Sequence, residues 1–350
     1  MPGQPLISVI IPVHNVEAYL DDCLDSVLEQ SFTDIQVIAV DGASRDGSAA
    51  ILDARARSDP RLLPVPTSQE GPGRARNAGL ATAAGEYIWF VDADDLIPPG
   101  SMQAITEAIE NEHPDVLLID FEYLYPDGRT RTSEGRDLLR AAPAGPFSVA
   151  NWPDAISLTA TVWSKIFRRD FLRGSGISFP DGIHEDVPVS FFALLSATKI
   201  CVLSRACYLY RQRAGSFMAT ATQRHFDIFD SNRQVLDMAA KRQSEGDTGI
   251  TDEVRAALFE RAIWHYTTNL DGKGRRRIPR RDRRRYFTMM HDDFIAYRPA
   301  AYHPPDSVRG LKYRLIEWNA FGAYRVLTPI NKARVRVMYA LRRLVSWRSA

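Results

Sequence analysis

A short apolar strand that ends in a cluster of carboxylates constrains this chain more than any other feature. Residues Tyr87–Val91 are apolar, aromatic and β-branched, the composition of a buried strand, and Asp92, Asp94 and Asp95 follow at once. Crowded carboxylates at the end of a buried strand repel one another and lose hydration, a cost that a bound cation offsets. The pattern therefore predicts a metal–diphosphate site with Mg²⁺ or Mn²⁺. A solvated acidic turn before a helix is the alternative.

The preceding residues alternate between strand-like and helix-like patterns. Continuous apolar runs predict strands at Leu6–Val13, Ile35–Val40 and Leu62–Val65, and helices are predicted between them at 17–30 and 49–57. This alternation, with polar loops after the strands, predicts an open doubly wound α/β sheet whose ligands bind beyond the carboxyl ends of the strands. No G-x-G-x-x-G follows the first strand and no G-x-x-x-x-G-K-[ST] occurs, which argues against dinucleotide dehydrogenases and P-loop enzymes.

Charge is distributed unevenly along the 350 residues. Residues 251–350 hold 22 basic and 9 acidic side chains, whereas residues 1–250 hold 22 and 34. Eight arginines lie in Arg275–Arg285, and residues 329–348 show the pattern of a basic amphipathic helix. This predicts contact with an anionic membrane or acceptor. Packing on the catalytic part or on a second subunit of a homo-oligomer is the alternative. No nucleic-acid motif accompanies the arginines, so no nucleic-acid partner is expected.

Four motifs, in order, resemble family-2 glycosyltransferases of the GT-A fold. They read SVIIPVHNVEAYLDDCLDSVLEQSF, VDGASRDGS, GPGRARNAGL and YIWFVDADD. The resemblance covers roughly residues 6–220 and is greatest to the branch that builds or decorates bacterial surface polymers, including wall teichoic acid. It implies a GT-A catalytic domain over residues 1–222, with an open mixed sheet flanked by helices. A mainly α-helical, basic region is expected over residues 223–350.

The resemblance also implies a binding pocket for a UDP-sugar donor. Asp41 would receive the uracil or the ribose, since a carboxylate accepts hydrogen bonds from either, although it could equally be a turn residue. Gly42 stands where the family usually carries a second carboxylate, a departure that bears on base selection. The donor-binding residues implied are Pro12, His14, Asn15, Glu17, Asp41, Gln69, Arg76, Asp92, Ala93, Arg211, Arg213 and Ser216.

The resemblance also implies specific roles for residues in and near the acidic turn. Asp94, with Asp92, would bind Mn²⁺ or Mg²⁺ between the two phosphates of the donor. Arg76 would lie near the nucleotide, where a planar guanidinium suits a phosphate or a base edge. A salt bridge to a loop aspartate is the alternative for Arg76. Asp95 is expected to cap the following helix.

On the acceptor side, Glu185-Asp186 matches the Glu-Asp pair that supplies the family's catalytic base. Asp186 is the predicted general base, with Glu185 beside it, before a helix predicted at Val189–Ala197. An N-cap role for Asp186 is the alternative. Arg211, Arg213 and Ser216 belong to a segment that resembles the family's Y-R-x-x-x-G-S motif. That motif implies a loop that closes over the donor diphosphate and stabilises the leaving UDP.

The resemblance as a whole implies an inverting glycosyltransferase. It would move a sugar from a UDP-sugar to a hydroxyl of a surface polymer or lipid-linked precursor (teichoic-acid-like, capsule or exopolysaccharide), in the cytoplasm at the inner membrane face. A nucleotidyltransferase of related fold is one alternative, but it would need a Gly-rich, basic signature after the first strand, where this chain has His14-Asn15-Val16-Glu17. The other is an inactive nucleotide-sugar-binding scaffold, which Gly42 alone favours.

Overall fold

A mixed β-sheet forms the centre of the protein. The computed structural model describes residues 4–68, 70–213, 221–271, 277–300 and 302–327. Within these ranges the strands are β1 (Ile7–Val13), β2 (Ile35–Gly42), β3 (Leu62–Thr67), β4 (Tyr87–Phe90), β5 (Val116–Leu124), β6 (Thr130–Thr132), β7 (Lys165–Arg168) and β8 (Ile200–Arg211). The four strands expected from the apolar runs are all present.

The strand order brings the polar loops to one edge. The order is β3-β2-β1-β4-β7-β5-β6, and β8 pairs with β5 as well. Strands β1 to β4 are mutually parallel, β7 runs antiparallel to both β4 and β5, and β8 is parallel to β5. Because β1, β2 and β4 are parallel neighbours, the loops that follow them open on the same side of the sheet.

Both faces of the sheet are covered, which explains the continuous apolar runs. Successive side chains of a strand point to opposite faces. Ile10 and Ile38 accordingly belong to one buried cluster, and Val9 and Val37 belong to another. All four side chains are fully buried. A strand that is buried on both faces carries no polar alternation, as expected for parallel strands.

Helices fill both layers. They are α1 (Glu17–Leu28), α2 (Ser48–Ser58), α3 (Pro72–Thr82), α4 (Ser101–Glu112), α5 (Arg136–Arg140), α6 (Arg169–Gly174), α7 (Asp186–Ser196), α8 (Asp227–Ser244), α9 (Asp252–Asp271), α10 (Arg283–Tyr297) and α11 (Val308–Glu317). Helix α7 begins at Asp186, three residues before the predicted start at Val189. Pro188 lies in its first turn, where a missing N–H costs no intrahelical hydrogen bond.

Helix α3, which the sequence patterns do not predict, packs closely on the sheet. A Cβ atom on Gly79 would lie 2.4 Å from Cγ2 of Ile10 in β1. Only a glycine therefore allows α3 to approach β1 at this position. This contact places the start of α3, including Arg76, beside the carboxyl edge of the sheet.

The C-terminal helices share a core with the sheet. One buried cluster runs from Ile10 and Phe90 in the sheet, through Phe191 in α7, to Phe229 in α8 and Phe287 in α10. The predicted division at residue 222 stays a prediction. Among the described residues, no helix has the length and apolar character needed to span a membrane. The predicted basic helix at 329–348 and the first two arginines of Arg275–Arg285 lie outside the described residues.

Candidate active site

Three polar loops meet at the carboxyl edge of the sheet. Val13 at the end of β1 lies opposite Asp41 in β2. On the other side of β1, the chain leaves β4 through Val91 and enters the acidic turn at 92–95. Arg76 from α3 contacts Asp92 in this turn and also contacts Glu185 beside the start of α7. The structure therefore brings together the acidic, basic and amide side chains that the sequence places after separate strands.

The residues that follow β1 hold the loop after β2. His14 Nδ1 lies 2.7 Å from the carbonyl oxygen of Gly42, so this nitrogen carries the proton and donates. Asn15 Oδ1 accepts from the backbone N–H of Arg45 at 2.8 Å. Glu17 Oε2 accepts from the backbone N–H of Gly47 at 2.5 Å. These contacts give His14, Asn15 and Glu17 a role in shaping the pocket wall.

Asp41 lies half-buried at this wall. Its Oδ1 accepts from the backbone N–H of Ser44 at 3.1 Å, as a turn residue does. Within the described residues, no hydrogen bond involves the other carboxylate oxygen, Oδ2. Both interpretations made from the sequence are therefore compatible with the same geometry, since one oxygen holds the turn and the other can accept from a ligand.

Arg76 connects the buried carboxylate of Glu185 with the half-buried carboxylate of Asp92. Its Nη2 donates to Asp92 at 2.8 Å, and its Nη1 donates to Glu185. Burial opposes the guanidinium charge, but Asp92 and Glu185 outweigh that effect and raise the pKa of Arg76. Burial also raises the pKa of Asp92, with Asp94 adding to the shift and Arg76 opposing it. The salt bridge that was the alternative for Arg76 is present, and it joins the acidic turn to α7.

Two arginines at the end of β8 and just after it donate hydrogen bonds to Asp94. Arg213 Nε donates to Asp94 Oδ2 at 2.6 Å, and Arg211 Nε donates to the Asp94 carbonyl at 2.9 Å. Both guanidinium groups lie over the ring of Tyr19 in α1, at 5.3 Å for Arg211 and 5.1 Å for Arg213. Arg211 also pairs with Asp22 at 3.1 Å. Two cations therefore flank the acidic turn.

The expected cap role of Asp95 is wrong. Asp95 is fully buried, its Oδ2 accepts from the Tyr208 hydroxyl at 2.7 Å, and its Oδ1 accepts from the Arg211 N–H at 2.8 Å. Helix α4 begins only at Ser101 and has no side-chain cap. The physical reason is that β8 passes beside the turn and supplies donors that local sequence does not reveal. Burial, together with Asp94 and Asp92, raises the pKa of Asp95.

Asp186 is the first residue of α7, close to the Arg76 network. Glu185 occupies the N-cap position without a side-chain cap hydrogen bond, so the N-cap alternative for Asp186 is wrong. Glu185 is instead drawn to Arg76. Burial raises the pKa of Asp186 to about 7; Glu185 and Asp92 add to the shift, whereas Arg76 and Lys165 oppose it. A carboxylate that titrates near neutrality is suited to general-base work.

The acidic turn fits a divalent cation that two carboxylates and a diphosphate would hold together. No group of three or more His, Cys, Asp or Glu side chains in the described ranges could hold a metal alone. Asp92 and Asp94 each have one oxygen paired with an arginine. Their remaining oxygens can serve as ligands, and Mg²⁺ is commonly bound by one or two carboxylates plus substrate phosphates. The two predicted ligands are therefore compatible with the expected metal.

The other predicted residues occupy varied positions. Pro12 lies in β1, and Ala93 is buried in the acidic turn, so it can offer only backbone atoms. Gln69 and Ser216 lie outside the described residues. The structure adds Tyr19, Asp22 and Lys165, which lie in or beside recognisable motifs but had no predicted role in the site. Tyr19 and Asp22 are spaced as one face of a helix requires, but only the fold shows that this face meets β8.

The mixed sheet flanked by helices, with parallel strands β1 to β4, defines a structural class, the GT-A fold. A crystal structure of residues 1–349 of TarS from Staphylococcus aureus, in complex with UDP-GlcNAc, has the same fold. Its TM-score is 0.73 at 22% sequence identity, covering 94% of this chain and 92% of that one. The expected GT-A architecture is thereby confirmed.

Residues 8–174 match the family model described as Glycosyl transferase family 2. The glycosyltransferase EpsJ of Bacillus subtilis is 30% identical over 61% of this chain and 62% of its own length. The poly(ribitol-phosphate) β-N-acetylglucosaminyltransferase TarS of S. aureus is 30% identical over 65% of this chain. The chain thus spans less than two thirds of EpsJ and 39% of TarS.

Proposed function

We propose that this protein is an inverting, metal-dependent glycosyltransferase that moves a sugar from a UDP-sugar to an acceptor hydroxyl. The observation that carries the proposal is the position of Asp186. It begins α7 beside the Arg76–Glu185–Asp92 network, and its pKa is raised to about 7. This arrangement supports Asp186 as the base next to the proposed diphosphate site.

On the donor side, Asp92 and Asp94 would hold Mn²⁺ or Mg²⁺. A bound metal ion neutralises charge that develops on the leaving diphosphate. Arg211 and Arg213 flank the same turn and would stabilise that charge as well. The loop that His14, Asn15 and Glu17 hold, together with Asp41, would receive the nucleoside. UDP is the proposed nucleotide because the TarS structure of the same fold was solved with UDP-GlcNAc.

On the acceptor side, Asp186 would take the proton of the attacking hydroxyl. The oxygen would form a bond to the anomeric carbon as the bond from that carbon to the diphosphate breaks, so that UDP leaves with the electron pair. Glu185 is held by Arg76 and would position α7 rather than accept the proton. A base with a pKa near the working pH is efficient in this role, since it is ionised and still basic enough.

The proposed acceptor is a hydroxyl of a surface polymer or of its lipid-linked precursor. The support comes from TarS, whose name gives poly(ribitol-phosphate) as its acceptor. The excess of basic over acidic side chains in residues 251–350 suits an anionic acceptor or an anionic membrane surface. We therefore place the reaction at the inner face of the cell membrane.

Thermal stabilisation by nucleotides tests the donor site first. UDP, GDP, CDP, dTDP and UDP-sugars are each added with and without Mn²⁺; a ligand at 100 times its Kd raises stability by about 2.7 kcal/mol. A metal-dependent shift with UDP compounds is expected. A shift only with another nucleotide would show that Gly42 has changed base selection, and no shift with any of these ligands would contradict the proposed nucleotide-sugar site.

Asp186→Asn separates an enzyme from a scaffold. The variant should still bind the UDP-sugar and should lose transfer, because an amide cannot accept the proton. Asp181→Asn is the control, since Asp181 is an exposed carboxylate that pairs with Arg74 outside the Arg76 network. Release of pyrophosphate instead of UDP would show a nucleotidyltransferase.

A further inference from the structure

The loop that leads into the proposed base, residues 179–185, has an unusual backbone, and we call it the base loop. Gly182 has a φ of +112° and His184 a φ of +79°, both in the left-handed region. Glycine adopts such angles freely, whereas histidine adopts them at an energetic cost. A residue in such a conformation persists only where the surrounding structure holds it. The contacts that hold His184 therefore bear directly on where Glu185 and Asp186 lie.

Helix α3 holds the first part of the base loop. The Phe179 N–H donates to Asn77 Oδ1 at 2.9 Å, and Asn77 Nδ2 donates to the Phe179 carbonyl at 2.8 Å. Arg74 donates to both carboxylate oxygens of Asp181, at 2.7 and 2.8 Å. These four hydrogen bonds fix where the loop begins, but they come before the left-handed turn at 182–184.

Asp227, the first residue of α8, contacts the left-handed turn itself. The Ile183 N–H donates to Asp227 Oδ2 at 3.2 Å. The same oxygen lies 3.1 Å from the point where a Cβ atom on Gly182 would be, so the carboxylate lies close against the turn. Because Ile183 is buried, its N–H would need another acceptor if the Asp227 carboxylate were absent. Asp227 therefore holds the loop at the place where its backbone is strained.

A carboxylate at this position of α8 also has a simpler explanation. Asp227 and Asp230 both lie in the first turn of the helix, where a negative charge interacts favourably with the helix dipole. That interaction explains an acidic residue but not its contact with Ile183. Asp230 points elsewhere, since its side chain is 76% exposed and pairs with Arg233 at 3.5 Å. The two residues thus share the dipole interaction and differ in the contact with the base loop.

The left-handed turn is directly coupled to the start of α7. The His184 carbonyl accepts from the Val187 N–H at 3.1 Å, so the strained residue belongs to the same hydrogen-bonded turn as Asp186. Glu185 is tied to Arg76. A general base acts only within hydrogen-bond reach of the proton that it takes, and a misplacement of about 1 Å can cost a factor of about 100 in rate. Relaxation of His184 to an ordinary φ would move Asp186 away from its place.

We propose that Asp227 is a positioning residue for the acceptor base. Its carboxylate holds the left-handed turn at 182–184 and so sets the place from which Asp186 reaches the acceptor hydroxyl. The inference rests on the proposed function, because it gives Asp227 a part in the geometry of the same site. The hydrogen bond carries the role rather than the negative charge, since the group that Asp227 accepts from is a neutral backbone N–H.

Four variants separate the hydrogen bond from the charge. Asp227→Asn keeps an acceptor oxygen at the same reach without the charge, whereas Asp227→Glu keeps the charge and lengthens the side chain by one methylene group. Asp227→Ala removes both. Asp230→Ala is the matched control, because it removes a carboxylate from the same helical turn. Each protein is first titrated with UDP and Mn²⁺, which shows whether it is folded and binds the nucleotide.

Two readouts follow, hydrogen exchange of the backbone amides in residues 179–187 and the kinetics of UDP release. Release is measured from the UDP-sugar that stabilises the wild type most, with water and then a soluble ribitol-phosphate oligomer as the acceptor. Asp227→Ala and Asp227→Glu should exchange faster at Ile183 and lose about tenfold or more in kcat, with the donor KM changed by less than about twofold. Asp227→Asn and Asp230→Ala should behave as the wild type does.

A kcat of Asp227→Ala equal to that of the wild type would overturn the proposal. So would an Asp227→Asn variant as impaired as Asp227→Ala, because the charge would then be the important property. Failure of the proposed function has a different signature, since the wild type itself would bind no UDP or release none from UDP-sugars. Exchange at Ile183 would still show in that case whether Asp227 holds the base loop.

Discussion

At the scale of single residues, Asp186 links structure to pH dependence. Its pKa is raised to about 7 by burial and by Glu185, so the carboxyl is largely protonated and inactive as a base at pH 6. We expect kcat/KM to rise about tenfold between pH 6 and pH 8 and then to level off, because the base must be ionised. A pH profile at saturating donor measures this. A flat profile between pH 5 and pH 8 would contradict the role.

Replacement of Arg76 measures how much its ion pairs with Asp92 and Glu185 stabilise the fold. Arg76→Gln leaves Asp92 and Glu185 without their buried partner, so the free energy of unfolding should fall by about 3–5 kcal/mol. Arg74→Gln is the control, since Arg74 pairs with Asp181 at an exposed position two residues earlier and should change stability by less than about 1 kcal/mol. Urea denaturation of both variants distinguishes them. Equal decreases in the free energy of unfolding would mean that the Arg76 ion pairs stabilise the fold no more than the exposed Arg74 pair does.

The residue positions that the sequence could predict are those at strand ends. Asp41 lies near the end of β2, and Asp92 and Asp94 follow β4, so the sheet brings them to one edge wherever the helices go. Asp95 was misjudged because its partners, Tyr208 and Arg211, come from β8 more than a hundred residues later.

At the scale of elements, the contact of α3 with β1 decides where Arg76 lies. Gly79→Ala would place a Cβ 2.4 Å from Ile10 Cγ2, so α3 must shift outward. We expect a loss of about 1–3 kcal/mol, despite the higher helix propensity of alanine, and a lower transfer rate because Arg76 moves with the helix.

Gly174→Ala is the matched control for this substitution. Gly174 is also helical, in α6, and nothing lies within 4 Å of its added Cβ. Its stability should stay the same or rise slightly. Thermal unfolding and transfer assays of both variants check the prediction, and a stabilised, fully active Gly79→Ala variant would refute it.

Element types were predictable from apolar periodicity, whereas some elements and boundaries were not. β1 and β2 appear as continuous apolar runs because both faces of the sheet are covered. Helix α3 escaped prediction because its Gly-rich, basic sequence has no apolar face of ordinary width, and it packs through Gly79 and Ala75 instead. The start of α7 was placed too late because Pro188 resembles a first helical position but occupies the third.

At the scale of the whole molecule, the shared core bears on the predicted boundary between two domains at residue 222. The buried cluster passes from Phe191 in α7 to Phe229 in α8 without interruption. Residues 1–222 alone would therefore expose a large apolar surface, and we expect that fragment to aggregate or to unfold at a clearly lower temperature than the full chain. Size-exclusion chromatography and UDP binding measure this. A monomeric fragment that binds UDP as the full chain does would establish an independent catalytic domain.

The Arg76 bridge also has a kinetic consequence. One guanidinium contacts Asp92 beside the proposed donor metal and Glu185 beside the proposed base. A cation held by the free oxygen of Asp92 would repel the Arg76 guanidinium, and this would change how firmly Arg76 holds Glu185 at the start of α7. Binding of the donor and its metal at Asp92 would thereby be thermodynamically linked to the position of the proposed base at the start of α7. We expect a compulsory order of addition, donor before acceptor, visible as UDP that inhibits competitively against the donor and noncompetitively against the acceptor.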